Sequence, residues 1–149
     1  GALVADSPRE VAQVSDIIIT MLPGPPEVEE VVAGEGGLLE GAAEGSLIVD
    51  MSTSSPLLAQ ELSRTANTRG VGMLDAPVSG GDIGAIEGTL SIMVGGEKED
   101  FERARPLFEV MGKTIVHVYS DTQPKGFEPV EGGLEDVYFS TLAQSRRAA

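Results

Sequence analysis

The sequence predicts an α/β protein built on a doubly wound, mostly parallel sheet. Short apolar runs alternate with amphipathic stretches, and the runs at 16–22 and 47–51 show no polar alternation. Such runs are typical of parallel strands that helices cover on both faces. Strands that alternate with helices in this way indicate βαβ units. We therefore expect 16–22 and 47–51 to be central strands of the sheet.

The first half of the chain contains three predicted strands and three predicted helices. A weak strand at 3–5 precedes a helix that opens at Asp6-Ser7-Pro8, where a polar capping residue comes before a proline in the first turn. Strand 16–22 ends at a Pro/Gly cluster, and a helix follows at 27–32. After strand 47–51, a helix at 57–69 is predicted to present one apolar stripe, formed by Leu58, Leu62 and Ala66.

The second half is predicted to contain three more strands. Strand 71–76 is joined to strand 90–94 by a glycine-rich link over 79–88. Because this link is short for a parallel crossover, strand 90–94 is predicted to run antiparallel to 71–76. A helix over 97–111 should then be kinked, or have its start shifted, by Pro106. Strand 114–119 comes last, and the inward residues of the helix should be Phe101, Ala104, Leu107 and Phe108.

The composition narrows the function classes. Lys and Arg number 10 against 24 Asp and Glu, a net charge of −14, so nucleic acids and anionic membranes are not expected partners. The chain has no Cys and a single His, His117, which argues against a disulfide framework or a metal site. The longest apolar run is too short for a bilayer, and the N-terminus does not resemble a signal peptide. The cytoplasm is the expected compartment.

Three strand ends could carry chemistry, because ligands of open α/β sheets bind outside the carboxyl ends of the strands. At 21–24, Met-Leu-Pro-Gly would place rigid, weakly polar backbone beside a flat ligand, or it simply terminates a strand. At 50–56, hydroxyl groups surround a helix start that favours anions or amide oxygens. The alternative at this second end is that Ser54 or Ser55 merely caps the helix.

The third strand end, 75–81, is rich in small residues. Successive backbone N–H groups there could converge on a carboxylate, and the alternative is a plain glycine turn. Asp50 and Asp75 end two strands, but as isolated carboxylates they are weak acid/base candidates. His117 is interpreted as structural. No G-x-G-x-x-G turn follows a strand, although the pyrophosphate of a dinucleotide normally needs one.

In their order, these segments resemble the β-hydroxyacid dehydrogenase family. The matching motifs are 19–23, 50–56 and 75–81, continued by 84–85, 88–90 and 93–96, so that the resemblance covers about residues 1–118. The family includes 3-hydroxyisobutyrate dehydrogenase and tartronate semialdehyde reductase, with 6-phosphogluconate dehydrogenase as a more distant relative. The resemblance implies a partial Rossmann-like domain that lacks its first βαβ phosphate-binding unit.

The resemblance also implies roles for single residues. Leu22 and Pro23 match the segment that lines the adenosine side of bound NAD or NADP, and Thr53 matches a hydroxyl near the nicotinamide. The loop that receives the carboxylate of a small β-hydroxy acid substrate is matched by Ser79, Gly80 and Gly81. A second copy of the chain is a candidate partner.

The chain departs from the family after residue 119. The family continues into a helix with a catalytic Lys and a substrate-binding Asn, whereas Lys125 stands between Pro124 and Gly126 and receives no catalytic role. We therefore divide the chain into a partial cofactor-binding domain, 1–119, and a diverged tail, 120–149, and assign no catalytic residue. The leading hypothesis is a truncated NAD(P)-dependent dehydrogenase that is inactive alone. The alternative is a non-catalytic binding or interaction module that retains the scaffold.

Overall fold

The computed structural model describes residues 4–118, which form one mixed sheet and its flanking helices. The predicted tail at 120–149 lies outside the described residues, as does Tyr119. The elements are α1 Pro8–Gln13, β1 Ile17–Thr20, α2 Pro25–Ala33, α3 Leu38–Gly41, β2 Leu47–Asp50, α4 Pro56–Asn67, β3 Gly72–Asp75, β4 Val78–Ser79, α5 Gly81–Glu87, β5 Leu90–Gly95, α6 Lys98–Met111 and β6 Gly112–Val118.

The sheet is mostly parallel, as predicted. Its strand order is β1-β2-β3-β5-β4, with β6 paired to β5. The pairs β1/β2, β2/β3 and β5/β6 are parallel, whereas β5 runs antiparallel to β3 and β4. The predicted antiparallel direction of β5 is therefore confirmed. Its physical reason is the short connection from β3, which is too brief for a helical crossover between parallel neighbours.

Helices cover both faces of this sheet. Ile18, Ile48 and Met73 pack on one face with buried residues of α1 to α4. Leu47, Val49 and Leu74 point the other way, toward Ala104 and Phe108 of α6. Successive strand residues point to opposite faces, so one short apolar run supplies both cores. The doubly wound arrangement is thereby confirmed.

The two predicted central strands lie in different surroundings. All four residues of β2 are buried, as expected for a strand with neighbours on both sides. The prediction that 16–22 is a central strand buried on both faces is wrong for this chain. Among residues 4–118, β1 pairs with β2 alone, and Ile19 is 44% exposed. A strand without a second neighbour and without a helix over one of its faces leaves apolar side chains in solvent.

Several local predictions need correction. Val4 and Ala5 form no strand, and Leu3 of that predicted strand lies outside the described residues. The glycine-rich link contains β4 and α5, because Gly80 and Gly81 adopt positive φ angles that start a helix. The short helix α3 was not predicted. Leu107 is 39% exposed rather than inward, and α6 begins at Lys98 with Pro106 inside it, so the proline does not shift its start.

The described part of the chain contains no helix that is long and apolar enough to cross a membrane. Within the same residues, no group of three or more His, Cys, Asp or Glu side chains could hold a metal ion. His117 stacks on Phe101 with ring centroids 4.1 Å apart, and its Nε2 lies 3.2 Å from the Gly96 carbonyl oxygen. This packing fits the structural role that was predicted for it.

Candidate functional site at the carboxyl ends of the parallel strands

The last residues of the three parallel strands form a polar row. Thr20 of β1 is in register with Asp50 of β2, and Asp50 is in register with Asp75 of β3. Because partners in a parallel register point to the same face, the three side chains lie side by side. Each begins one of the three loops in which the sequence predicts binding residues, so these loops leave the sheet at one edge.

Hydrogen bonds to Asp50 join the first two loops. The Thr20 hydroxyl donates to Asp50 Oδ1 at 2.8 Å, and the Ser52 backbone N–H donates to the same oxygen at 3.1 Å. The Ser52 hydroxyl accepts a hydrogen bond of 2.8 Å from the Leu22 backbone N–H. Thr20, Asp50 and Ser52 are all buried. This network fixes the backbone of Leu22 relative to the loop that carries Thr53.

Asp75 lies next to Asp50 and is not an isolated carboxylate, which corrects the sequence interpretation of both residues. Asp50 Oδ2 and Asp75 Oδ1 are buried without a hydrogen-bond partner. Burial, with a smaller contribution from the charge of Asp50, raises the pKa of Asp75 from 3.8 to about 7. The sequence contained a signal for this pair, because two Asp residues end consecutive parallel strands and such ends meet at one edge.

The loop at 50–56 ends in a helix start that its serines do not cap. Ser55 is the N-cap residue of α4 but makes no side-chain capping hydrogen bond, and the Ser54 hydroxyl is buried without a partner. The capping alternative for this loop is therefore wrong. Thr53 is exposed beside this helix start. A helix start that is not capped by its own chain keeps N–H groups available to an external acceptor.

The loop at 75–81 leads into β4 and α5. Ser79 is exposed and pairs with Ser91 of β5. Gly80 and Gly81 have φ angles of 135° and 61°, which favour glycine. A Cβ atom at Gly81 would meet nothing within 4 Å, whereas one at Gly80 would lie 3.2 Å from Leu90 Cδ2. The glycines thus start a helix, which is more than the plain turn considered as the alternative.

One apolar cavity connects all three loops. It has a volume of about 350 Å³ and is lined by Met21, Met51, Val78 and Gly81 together with residues of β1, α5, β5 and α6. Met21 and Met51 belong to two of the predicted loops but were not among the predicted site residues, because an apolar residue after a strand looks like a continuation of the core. Of the predicted site residues, Gly81 contributes to this cavity.

A second cavity, of about 430 Å³, lies along the unpaired edge of β1. Leu22 lines it together with Ile19 and Met21, and Val11 of α1 closes it from the side. Pro23, Thr53, Ser79 and Gly80 line neither cavity. The structure therefore brings Leu22 and Gly81 to cavities that meet at Ile19 and Met21, and it leaves Thr53 and Ser79 exposed on the adjacent loops.

A nicotinamide dinucleotide suits part of this site. Neither cavity has a Lys, Arg or His in its lining, and both have mainly apolar walls, which fit the flat rings of such a cofactor. The helix start after Thr53 offers backbone donors. No basic side chain in the two linings faces a pyrophosphate. These residues fit the rings of the cofactor, while its phosphates need other contacts.

Comparison with known proteins shows the family of the chain. Residues 1–119 match the family model described as the NAD binding domain of 6-phosphogluconate dehydrogenase. The chain is 52% identical over 118 residues to 2-hydroxy-3-oxopropionate reductase of Escherichia coli, an alignment that covers 79% of this chain and 40% of that protein.

Two solved structures share the fold. The structure of 3-hydroxyisobutyrate dehydrogenase from Mycobacterium tuberculosis with L-serine has a TM-score of 0.70 and 39% identity, over 76% of this chain and 38% of that one. A structure of Psf3 in complex with NADP+ and 2-OPP has a TM-score of 0.73 and 31% identity, over 76% of this chain and 40% of the other. The chain thus spans about 40% of the length of the relatives that it matches.

Proposed function

Since the chain belongs to the family of the NAD-binding domain of 6-phosphogluconate dehydrogenase, we propose that it supplies part of the binding site of an NAD(P)-dependent dehydrogenase acting on small β-hydroxy acids. The observation that carries this proposal is the cavity shared by Met21, Met51 and Gly81. Each of these residues comes from a different loop at the carboxyl edge of the sheet, where open α/β folds bind their ligands.

Each predicted site residue has a role in this proposal. Leu22 and Pro23 contact the adenosine side of NAD or NADP, and Thr53 directs its exposed hydroxyl toward the nicotinamide. Ser79, Gly80 and Gly81 receive the carboxylate of the substrate. Support comes from the hydrogen bonds that fix Leu22 relative to the loop of Thr53. It also comes from the open space beside Gly81, which has a positive φ angle and where a Cβ atom would meet nothing within 4 Å.

The chain itself binds and orients. When bound, the nicotinamide supplies hydride transfer to or from the carbon that bears the substrate hydroxyl. Met21 and Met51 contribute apolar walls to the cavity. A general acid or base must also move the hydroxyl proton, a contribution of roughly 10²- to 10⁴-fold. Because the two cavity linings contain no Lys or His, we propose that this chain alone binds the cofactor without turnover.

The binding role is tested by calorimetric titration of the chain with NADH and with NADPH. Thr53→Val removes the hydroxyl with little change of shape, and we expect it to weaken binding by about fivefold, the effect of one hydrogen bond. Thr65→Val is the matched control, because Thr65 lies within α4, away from the helix start that follows Thr53, and its hydroxyl donates to the Glu61 carbonyl oxygen. If neither cofactor binds, the alternative of an interaction module is favoured. Equal affinities for both variants would refute the role of Thr53.

The role in catalysis is tested in a chimera. Residues 16–118 would replace the aligned segment of the Escherichia coli reductase, which is 52% identical. We expect the chimera to keep the activity of that enzyme, and Ser79→Ala in it to raise the KM for the acid more than it lowers kcat. The control is Ser63→Ala, since Ser63 lies within α4, away from its first turn. A folded chimera that binds cofactor and is inactive would contradict the proposed substrate loop.

A further inference from the structure

Two carboxyl groups, one buried and one half-buried, adjoin each other beneath the proposed site. Asp50 and Asp75 are register partners on adjacent parallel strands, whose backbones are about 4.8 Å apart. Asp50 is 1% exposed. One oxygen of each group, Asp50 Oδ2 and Asp75 Oδ1, is buried without a partner. Two negatively charged carboxylate groups side by side in such a place are costly, because the interior weakly screens their repulsion.

The hydrogen bonds distinguish the two groups. Asp50 accepts from the Thr20 hydroxyl and from the Ser52 backbone N–H, so it is already an acceptor. Burial and the charge of Asp50 raise the pKa of Asp75 to about 7, which makes Asp75 the group that holds a proton. A carboxylic acid has one O–H donor. A single hydrogen bond from Asp75 to Asp50 would satisfy both oxygens that lack partners.

Other charges near the pair do not replace this proton. The Asp100–Arg103 ion pair of α6 lies near the other end of β3, where Asp100 packs against Gly72. Glu61 and Arg64 of α4 are exposed. On β1 the register partner is the uncharged Thr20, and on β5 the partner of Asp75 is Gly95. His117 of β6 is in register with Val94, whose side chain belongs to the opposite face.

We propose that Asp75 and Asp50 share one proton and that this carboxyl pair positions the two loops that follow them, 51–55 and 76–81. Neither Asp touches a reacting atom, so both are positioning residues. The pair carries one negative charge while the proton is bound and two after it leaves. Loss of the proton would push the strand ends apart and displace Thr53 relative to Ser79. The role of the two loops in ligand binding rests on the proposed function, whereas the shared proton does not.

The test is an NMR titration of side-chain carboxyl carbons in the full chain between pH 4 and 9. We expect the Asp75 carboxyl signal to titrate with a midpoint near pH 7. The amide signals of Leu22, Ser52 and Gly80 should shift with the same midpoint. In Asp75→Asn, the amide N–H replaces the O–H donor, so these three signals should keep their low-pH positions throughout. Asp100→Asn is the control, because it removes a partly buried carboxyl at the opposite end of the sheet and should leave the midpoint unchanged.

Titration of the Asp75 carboxyl below about pH 5, near ordinary carboxyl pKa values, would overturn the proposal. It would also fall if the Asp75 signal titrates near pH 7 while the three amide signals stay constant, since the pair would then hold no loop in place. Cofactor affinity measured across the same range is a separate reading. Complete loss of cofactor binding at every pH would refute the proposed function and leave the shared proton standing.

Discussion

Carboxyl groups at the two ends of the sheet have opposite surroundings, with a basic partner at one end and none at the other among the described residues. At the amino end, Asp100 packs against Gly72, and Arg103 reaches both its Oδ1 at 3.3 Å and the Gly45 carbonyl oxygen at 2.8 Å. At the carboxyl end, Asp50 and Asp75 are register partners, no basic side chain among residues 4–118 lowers the pKa of Asp75, and each group has a buried oxygen without a hydrogen-bond partner. Burial raises the pKa of Asp75 and of Asp100, and Arg103 opposes the shift of Asp100 alone.

We interpret the amino end of the sheet as a structural region and the carboxyl end as the region that carries function. The amino end satisfies its polar atoms with an ion pair near the surface, as a structural element should. The carboxyl end leaves polar atoms unsatisfied beneath loops that also hold an uncapped helix start and two cavities. Groups with strongly shifted pKa values concentrate at functional sites. The comparison therefore supports the proposal that a ligand binds at the carboxyl end.

The largest expected effect is on the pH dependence of stability. The folded-state pKa of Asp75 is raised from 3.8 to about 7, so the folded protein holds a proton that the unfolded chain has released. The stabilisation is complete below about pH 4 and is lost as the pH rises through 7. It amounts to at most about 4 kcal/mol, at 1.36 kcal/mol per pKa unit. Urea unfolding of the protein and of Asp75→Asn at pH 4 to 8 measures the difference.

Asp75→Asn should remove this pH dependence, whereas Asp100→Asn should leave it in place and remove only the smaller contribution of Asp100, because Arg103 opposes the effect of burial there. The distinction between the two ends would be contradicted if the free energy of unfolding of the unmodified protein did not fall, relative to that of Asp75→Asn, between pH 4 and 7.

A somewhat smaller effect is expected from Asp50→Ala. The substitution leaves the Thr20 hydroxyl and the Ser52 N–H without an acceptor in a buried place, and we expect a loss of about 2 to 3 kcal/mol in the free energy of unfolding. Measurement at pH 5, where Asp75 holds its proton, keeps its charge out of the comparison. Asp50→Asn retains an acceptor oxygen and should cost less. Equal losses for Ala and Asn would show that the hydrogen bonds to Oδ1 contribute nothing.

The smallest effect belongs to the amino end. Arg103→Ala breaks a partly exposed ion pair, and a double-mutant cycle with Asp100→Asn should give a coupling energy below about 1 kcal/mol. The coupling should fall further at high salt, because exposed charges are screened. A coupling energy above about 2 kcal/mol between Arg103 and Asp100 would show a strong interaction at the amino end and would contradict the contrast between the two ends of the sheet.

Most of the fold could be predicted because its signals are local. The unbroken run Leu47–Asp50 marked a covered strand, and the short connection before β5 fixed its direction. The exposure of β1 is not visible in its local pattern, since its sequence is as apolar as that of β2 and only its neighbours decide how much of Ile19 is covered. Helix α5 was missed because glycines usually signal turns. Here two positive φ angles lead directly into a helix.

The loops of the candidate site could be predicted from the sequence, but the contacts between them could not. Pattern and resemblance selected Leu22, Thr53 and Gly81, which lie on loops at one edge of the sheet. The pairing of Asp50 with Asp75 and the cavity wall of Met21 and Met51 depend on register and on packing across strands far apart in sequence. Ser54 and Ser55 looked like caps because composition alone gives no capping geometry, and the structure shows that neither side chain caps α4.

The most direct measurement is a map of NADPH binding by amide chemical shifts in the labelled full chain. If the carboxyl end binds the nicotinamide cofactor, the signals of Leu22, Thr53 and Gly81 will move in proportion to saturation. Those of Gly45, Gly72 and Asp100 at the amino end will stay in place. Shifts confined to the amino end, or none at cofactor concentrations that saturate the chimera with the Escherichia coli reductase, would contradict the assignment of ligand binding to the carboxyl ends of β1, β2 and β3.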